Sequence, residues 1–133
     1  LLYLCDPRSS FVTGSAIKLE ANADGTTLRN LELHSAAQAQ PTIGTAGGEI
    51  DGVTIDHVTQ VGLGPSHSPS TIAAGLELSV PTDGWEVVDS SFDLNYFGIL
   101  VSNQTTDMTV VDSTFGSNAA TSVRPSSTFP MRR

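Results

Sequence analysis

The sequence predicts an all-β fold: a single-stranded β-solenoid with coils of about 22–23 residues. Three observations predict it. The hexapeptide "VVDSSF" (Val87 to Phe92) returns as "VVDSTF" (Val110 to Phe115), with five of its six letters unchanged. A second apolar marker precedes most copies at a constant offset. Between the markers, Val, Ile, Thr and Phe alternate with polar residues, while Gly, Asn, Asp and Pro recur every few positions, a strand-and-turn signature without helical periodicity.

The hexapeptide frame extends backwards. "IDGVTI" (Ile50 to Ile55) and "LRNLEL" (Leu28 to Leu33) carry apolar residues at its first and last places. The starts are then Leu28, Ile50, Val87 and Val110, with two short intervals flanking a long one. The second marker reads "IKL" from Ile17, "LEL" from Leu76 and "ILV" from Ile99, and the starts at Leu28, Val87 and Val110 follow them at the same distance. The coil starting at Ile50 has no such marker, because "AQP" stands at that offset, and its other strand is left unassigned. The long interval is read as one coil carrying an insertion, "QVGLGPSHSPSTIAA" (60–74), rich in Gly, Pro and Ser. A partial copy, "TSV" (Thr121 to Val123), lies one coil length after Ile99. Such a coil cannot bury its own apolar face, so stacking on its neighbours supplies the core.

The expected organisation is one domain over 1–133, with clear coils over 16–123, the 60–74 insertion and a C-terminal tail over 124–133, about five coils in all. Both ends of such a stack expose strand edges, and neither shows an amphipathic capping helix. A section of a longer solenoid or fibre, or one chain of a homotrimer, is therefore expected.

Composition narrows the partners. Fourteen acidic residues against six basic ones give a net charge of −8, which argues against nucleic acid and anionic membranes. No run approaches the roughly 18 apolar residues that span a bilayer, so membrane insertion is not expected. Cys5 is the only cysteine, which excludes an intrachain disulfide and a thiolate metal site.

Stacked coils bring equivalent positions about 4.8 Å apart. In this frame Leu33, Ile55, Phe92 and Phe115 stack inward, as do Leu31, Val53, Ser90 and Ser113, with the serines hydrogen-bonded within the stack. Asn95 lies over Asn118 in a turn ladder, a role that suits asparagine. Alternation sends out Asn30, Glu32 and His34, then Gly52, Thr54 and Asp56, then Asp89, Ser91 and Asp93, then Asp112, Thr114 and Gly116. Asp89 is expected over Asp112 and Asp56 over Asp93, giving a carboxylate-bearing face. Like charges at that spacing either raise each other's pKa or hold a cation between them.

Three readings of this face stay open. It can be a rack for a saccharide, with Glu32, His34, Asp56, His57, Trp85 and Asp93 as binding residues. Any catalytic carboxylates would come from Asp56, Asp93, Asp89 and Asp112, about 5–5.5 Å apart in a retaining hydrolase and about 6.5–9.5 Å in an inverting one. It can hold calcium at Asp89 and Asp112. It can also be a solvated polar face. Trp85 is either an exposed indole that stacks on sugar or a buried staple, and His67 sits in the insertion without visible partners. "NQT" (Asn103 to Thr105) is a glycosylation sequon in a turn.

"FGILVSNQTTDMTVVDSTFGSN" (97–118) is the fullest repeat. Its cadence resembles the right-handed parallel β-helix of the pectate-lyase-like superfamily, in particular the carbohydrate-binding and sugar-hydrolase repeats, over about 16–123. "TIDHVT" (Thr54 to Thr59) also resembles the "WIDHCT" stretch of pectate lyases, matching at Ile55, Asp56, His57 and Thr59. Thr54 and Val58 replace the Trp and Cys, and the family's arginine base has no counterpart in a following coil. Arg124, Arg132 and Arg133 fall in the tail, and polygalacturonase signatures are missing. The resemblance implies a polysaccharide or glycan partner, an extracellular, cell-surface or virion-associated location and, if the chain is an enzyme, a hydrolase or lyase. The competing expectation is a non-catalytic structural or adhesive fibre segment of tailspike type.

Overall fold

A computed structural model describes residues 11–13, 17–35, 41–63, 74–116, 118 and 120–123. These residues form an all-β parallel solenoid of about three turns. The chain enters with β1 (Phe11–Thr13), then β2 (Ile17–Leu19) and β3 (Thr27–His34). The second coil holds β4 (Ile43–Thr45), β5 (Ile50–Asp51) and β6 (Thr54–Val61). A third follows with β7 (Ala74–Leu78), β8 (Thr82–Asp83), β9 (Glu86–Val88) and β10 (Ser91–Asp93). The last comprises β11 (Phe97–Val101), β12 (Thr105–Thr106), β13 (Thr109–Val111) and β14 (Thr114–Phe115), before β15 (Ala120–Val123).

Three parallel sheets wrap the core. The largest, sheet A, runs β1-β3-β6-β10-β14, with β9 joining β6 to β13. Sheet B runs β15-β11-β7-β4-β2 and sheet C β12-β8-β5. The coil of β2 and β3 is incomplete, since among the described residues it gives sheet C no strand. No helix among the described residues is long and apolar enough to cross a membrane.

The register corrects the second coil. Ile55 pairs with Leu28 on one side and Val87 on the other, and Val87 pairs with Val110. The hexapeptide of that coil is therefore "IDHVTQ", starting at Ile55 and ending at Gln60, and not "IDGVTI". The first place stacks Leu28, Ile55, Val87 and Val110, all fully buried. Leu33 has Gln60, not Ile55, beside it, and Gln60 leads to Phe92 and Phe115. At the fourth place Val58, not Val53, lies between Leu31 and Ser90. With this shift the missing marker appears. Ile43 precedes Ile55 at nearly the offset of the other markers, and it pairs with both Ile17 and Leu76.

Corner geometry explains the shift. Each coil turns two corners on a left-handed residue, and the two corners spell alike. One column holds Gly25, Gly52, Gly84 and Asp107 (φ 74°, 68°, 67° and 50°); the other holds Asn30, His57, Asp89 and Asp112 (φ 57°, 53°, 48° and 50°). Asn, Asp and His are the side chains that tolerate this region best. "DG" after Ile50 belongs to the first column and "DH" after Ile55 to the second, yet both follow an isoleucine.

The serine stack has the form expected. Ser90 Oγ accepts from the Val58 amide at 3.1 Å and donates to the Val88 carbonyl at 2.8 Å. Ser113 repeats this one coil on, accepting from the Ser90 amide at 3.2 Å. The Phe92 and Phe115 rings stack with centroids 5.6 Å apart and planes 11° apart. Trp85 is 1% exposed, and its indole donates to the Ile50 carbonyl at 2.7 Å. It is a core residue between sheets A and C and offers sugar no face, which corrects its place among the binding residues. Of the 60–74 insertion, Gln60 and Val61 belong to β6 and Ala74 opens β7, while 64–73, with His67, and the 124–133 tail lie outside the described residues.

Candidate functional site

A left-handed residue in mid-strand makes the side chains of two successive positions point outward instead of one. On β3, Leu28 is buried, Arg29 and Asn30 exposed, and Leu31 buried again. On β6, Ile55, Asp56, His57 and Val58 repeat the pattern. The corner after β9 presents Val88 and Asp89, and that after β13 presents Val111 and Asp112. The second and third places of the hexapeptide thus form a double row along the outside of sheet A.

At the head of this row a cation faces a carboxylate. Arg29 is the rung partner of Asp56, and its Nε donates to Asp56 Oδ2 at 2.9 Å. His57 Nδ1 lies 2.6 Å from Asp56 Oδ1. A carboxylate can only accept, so Nδ1 carries the proton and Nε2 faces outward. Asp89 comes next, its Oδ2 at 3.9 Å from His57 Nε2. One ligand-type atom from each of Asp56, His57 and Asp89 lies within 4.8 Å of the other two. Asp56 forms the floor, with its side chain 20% exposed against 56% for Arg29, 60% for His57 and 45% for Asp89. The hydrogen bond from His57 holds the Asp56 carboxyl below its ordinary pKa, with Arg29 adding to the effect and partial burial opposing it.

This geometry corrects the expected acid stack. Asp56 has Arg29 and Val88 as rung neighbours, not Asp93. Asp93 pairs with Val61 at the far end of β6, and its Oδ1 accepts the Leu94 amide at 2.9 Å. Asp56 and Asp93 therefore belong to opposite ends of the sheet and form no catalytic pair. Glu32 and His34 engage each other, Oε1 to Nε2 at 2.7 Å, on the first coil. Their rung partners on β6 are Thr59 and Val61, which places them outside the Asp56 cluster. Asp89 and Asp112 occupy equivalent exposed corners on adjacent coils. The three-residue grouping at Asp89 includes an imidazole, whereas calcium selects oxygen ligands.

Arg29 is the residue that sequence reasoning missed. With the second coil framed from Ile50, Arg29 lines up with Asp51, and no cation answers the carboxylates. The useful signal was the run of left-handed-tolerant residues, Asn30, His57, Asp89 and Asp112, each two places after a buried aliphatic residue.

No protein-family model, curated protein or solved structure matches the chain. The fold and the local geometry are therefore what bear on function. The arrangement provides an outward imidazole nitrogen, His57 Nε2, and the Asp89 carboxylate beside a guanidinium that still has donors to spare. Together they can take hydrogen from and give it to a polyhydroxylated surface across three coils.

Proposed function

We propose that the chain is an extracellular, non-catalytic carbohydrate-binding solenoid of pectate-lyase-like type, gripping a neutral glycan along the Arg29–Asp56–His57–Asp89 row. The observation that carries this reading is the pairing of Asp56 with both Arg29 and His57, which fixes an outward imidazole next to a second carboxylate. Donors and acceptors then recur at rung spacing, about 4.8 Å, close to the scale on which sugar hydroxyls recur. The net charge of −8 favours neutral glycans over polyanionic ones.

Binding is favoured over cleavage by electrostatics. The nearest oxygens of Asp56 and Asp89 lie within 4.8 Å, too close for an inverting pair, which needs about 6.5–9.5 Å. A retaining pair needs one acid kept protonated by a raised pKa, and Asp56 moves the other way.

A glycan array with neutral and acidic oligosaccharides tests the proposal. Neutral glycans should bind, and His57→Ala or Arg29→Ala should abolish the signal. Failure to bind any glycan, with trimers or filaments in light scattering, would favour a structural fibre segment instead.

A further inference from the structure

A concavity lies on the outside of sheet B, on a different face from the charged row. Its origin is one glycine. The outward column of sheet B reads Lys18, Gly44, Glu77 and Leu100, since Lys18 pairs with Gly44, Ile43 with Leu76, and Glu77 with Leu100. Gly44 has no side chain, so the column is notched between Lys18 and Glu77. Pro41 leans into the notch, with its Cγ 2.9 Å from where a Cβ on Gly44 would lie. The result is a cavity of about 330 Å³ lined by Ile17, Lys18, Pro41, Thr45, Ala46 and Glu77 with Gly44.

The lining divides by chemistry. Pro41 and Ala46 supply the apolar wall, since Ile17 is all but buried in the core. The Thr45 hydroxyl is engaged by the Ser79 amide at 2.9 Å, so it braces the wall. Lys18, the only lysine in the chain, stands exposed at one end. Glu77 stands half-buried at the other, where desolvation raises its pKa. Two rungs separate the residues, on the order of 10 Å between their Cα atoms, and among the described residues no salt bridge joins them. A donor and an acceptor thus face each other across an apolar-walled gap.

We propose that this notch is a second sugar subsite, holding one neutral pyranose ring between Lys18 and Glu77. A ring placed there lays its C–H face on Pro41 and Ala46, donates a hydroxyl hydrogen to Glu77 and accepts one from the Lys18 ammonium. The volume lies at the lower end of the roughly 300–1,000 Å³ typical of small-molecule sites, which suits one ring and not a chain. This inference rests on reading the chain as glycan-binding, but it uses none of the residues of the charged row.

The test is an amide-resolved NMR titration of the isotope-labelled chain with methyl glucoside, methyl galactoside and methyl mannoside. At least one should produce saturable shifts confined to the amides of Lys18, Gly44, Thr45, Ala46 and Glu77. Glu77→Ala and Lys18→Ala should each weaken that binding at least 10-fold, and His57→Ala should leave it unchanged. Absence of shifts there with all three glycosides, shifts scattered over the surface, or shifts indifferent to both variants would each overturn the subsite. Oligosaccharide binding lost on His57→Ala, with no glycoside shifts at the notch, would overturn the subsite while sparing the charged row. The reverse pattern would spare the subsite and overturn the row.

Discussion

Gln60 and Asn95 meet inside the core and exchange both amide hydrogen bonds, Gln60 Nε2 to Asn95 Oδ1 at 2.9 Å and Asn95 Nδ2 to Gln60 Oε1 at 2.7 Å. The pair is extended at each end. Gln60 Nε2 also donates to Thr42 Oγ1, and Asn95 Nδ2 to Asn118 Oδ1 at 3.0 Å. The expected Asn95–Asn118 ladder is therefore the end of a longer network that links Thr42, just before β4, through Gln60 on β6 to the turns after β10 and β14. Gly75 makes room for it: a Cβ there would stand 2.6 Å from Gln60 Oε1 and 2.9 Å from the Phe92 ring.

Gln60→Leu should be destabilising although the site is apolar around it. The change strands Asn95 Oδ1 in the core and takes a donor from Thr42. The cost expected is about 1–3 kcal/mol for the unsatisfied groups, read as a lower midpoint in urea with an unchanged slope. Gly75→Ala should destabilise too, because both obstacles are held in the packed core.

Phe92 and Phe115 differ in position along the same column. Phe92 is fully buried between Gln60 and Phe115, whereas Phe115 is half-buried at the last described rung of sheet A. Phe92→Ala should cost about 3–5 kcal/mol, and Phe115→Ala clearly less, in equilibrium denaturation.

The left-handed corners make a separate prediction at Asp112, which is exposed with φ 50°. Asp112→Val should cost about 1–2 kcal/mol, since a β-branched side chain is strained there, whereas Asp112→Gly or Asp112→Asn should be nearly neutral. Equal costs for Val and Gly, measured by thermal unfolding, would argue against the corner geometry.

Two carboxyls should give opposite pH dependences. The Asp56 pKa is lowered on folding, so its contribution is present above its ordinary carboxylate range and is lost as the pH falls below about 4. Asp56→Asn should therefore be less stable than the parent at pH 7, with the gap closing as the pH falls through the lowered Asp56 value. The Glu77 pKa is raised by burial, so its favourable contribution exists below the ordinary range and is lost as the pH rises through the shifted value. Glu77→Gln should gain on the parent as pH increases, in denaturation curves collected from pH 4 to 8.

The solenoid itself was legible because its signals are repetitive. Val87 to Phe92 against Val110 to Phe115, and Leu76 against Ile99, were each aligned in the register the structure has. Strand β15 over Thr121 to Val123 also follows the frame, with Leu100 beside Ser122 and Val101 beside Val123. The second coil was not legible, because Ile50-Asp51-Gly52 and Ile55-Asp56-His57 are both apolar–acid–corner triplets. Gln60 was the second obstacle: a buried amide stood where the pattern called for an apolar residue, and only its partners on other coils justify it. The candidate site depended on this coil. Framing it from Ile50 instead of Ile55 removed Arg29 from Asp56, put Asp93 in its place and turned a cation-paired carboxylate into part of a stack of repelling acids.

The most direct test is calorimetric titration of the best-binding neutral oligosaccharide into the parent chain and the His57→Ala variant at pH 7. Loss of the outward imidazole should weaken binding at least 10-fold while the denaturation midpoint falls only modestly, by the loss of the hydrogen bond to Asp56 and the left-handed corner, since His57 is exposed and outside the core. Equal affinity for the two proteins would contradict the assignment of the Arg29–Asp56–His57–Asp89 row as the glycan-binding surface.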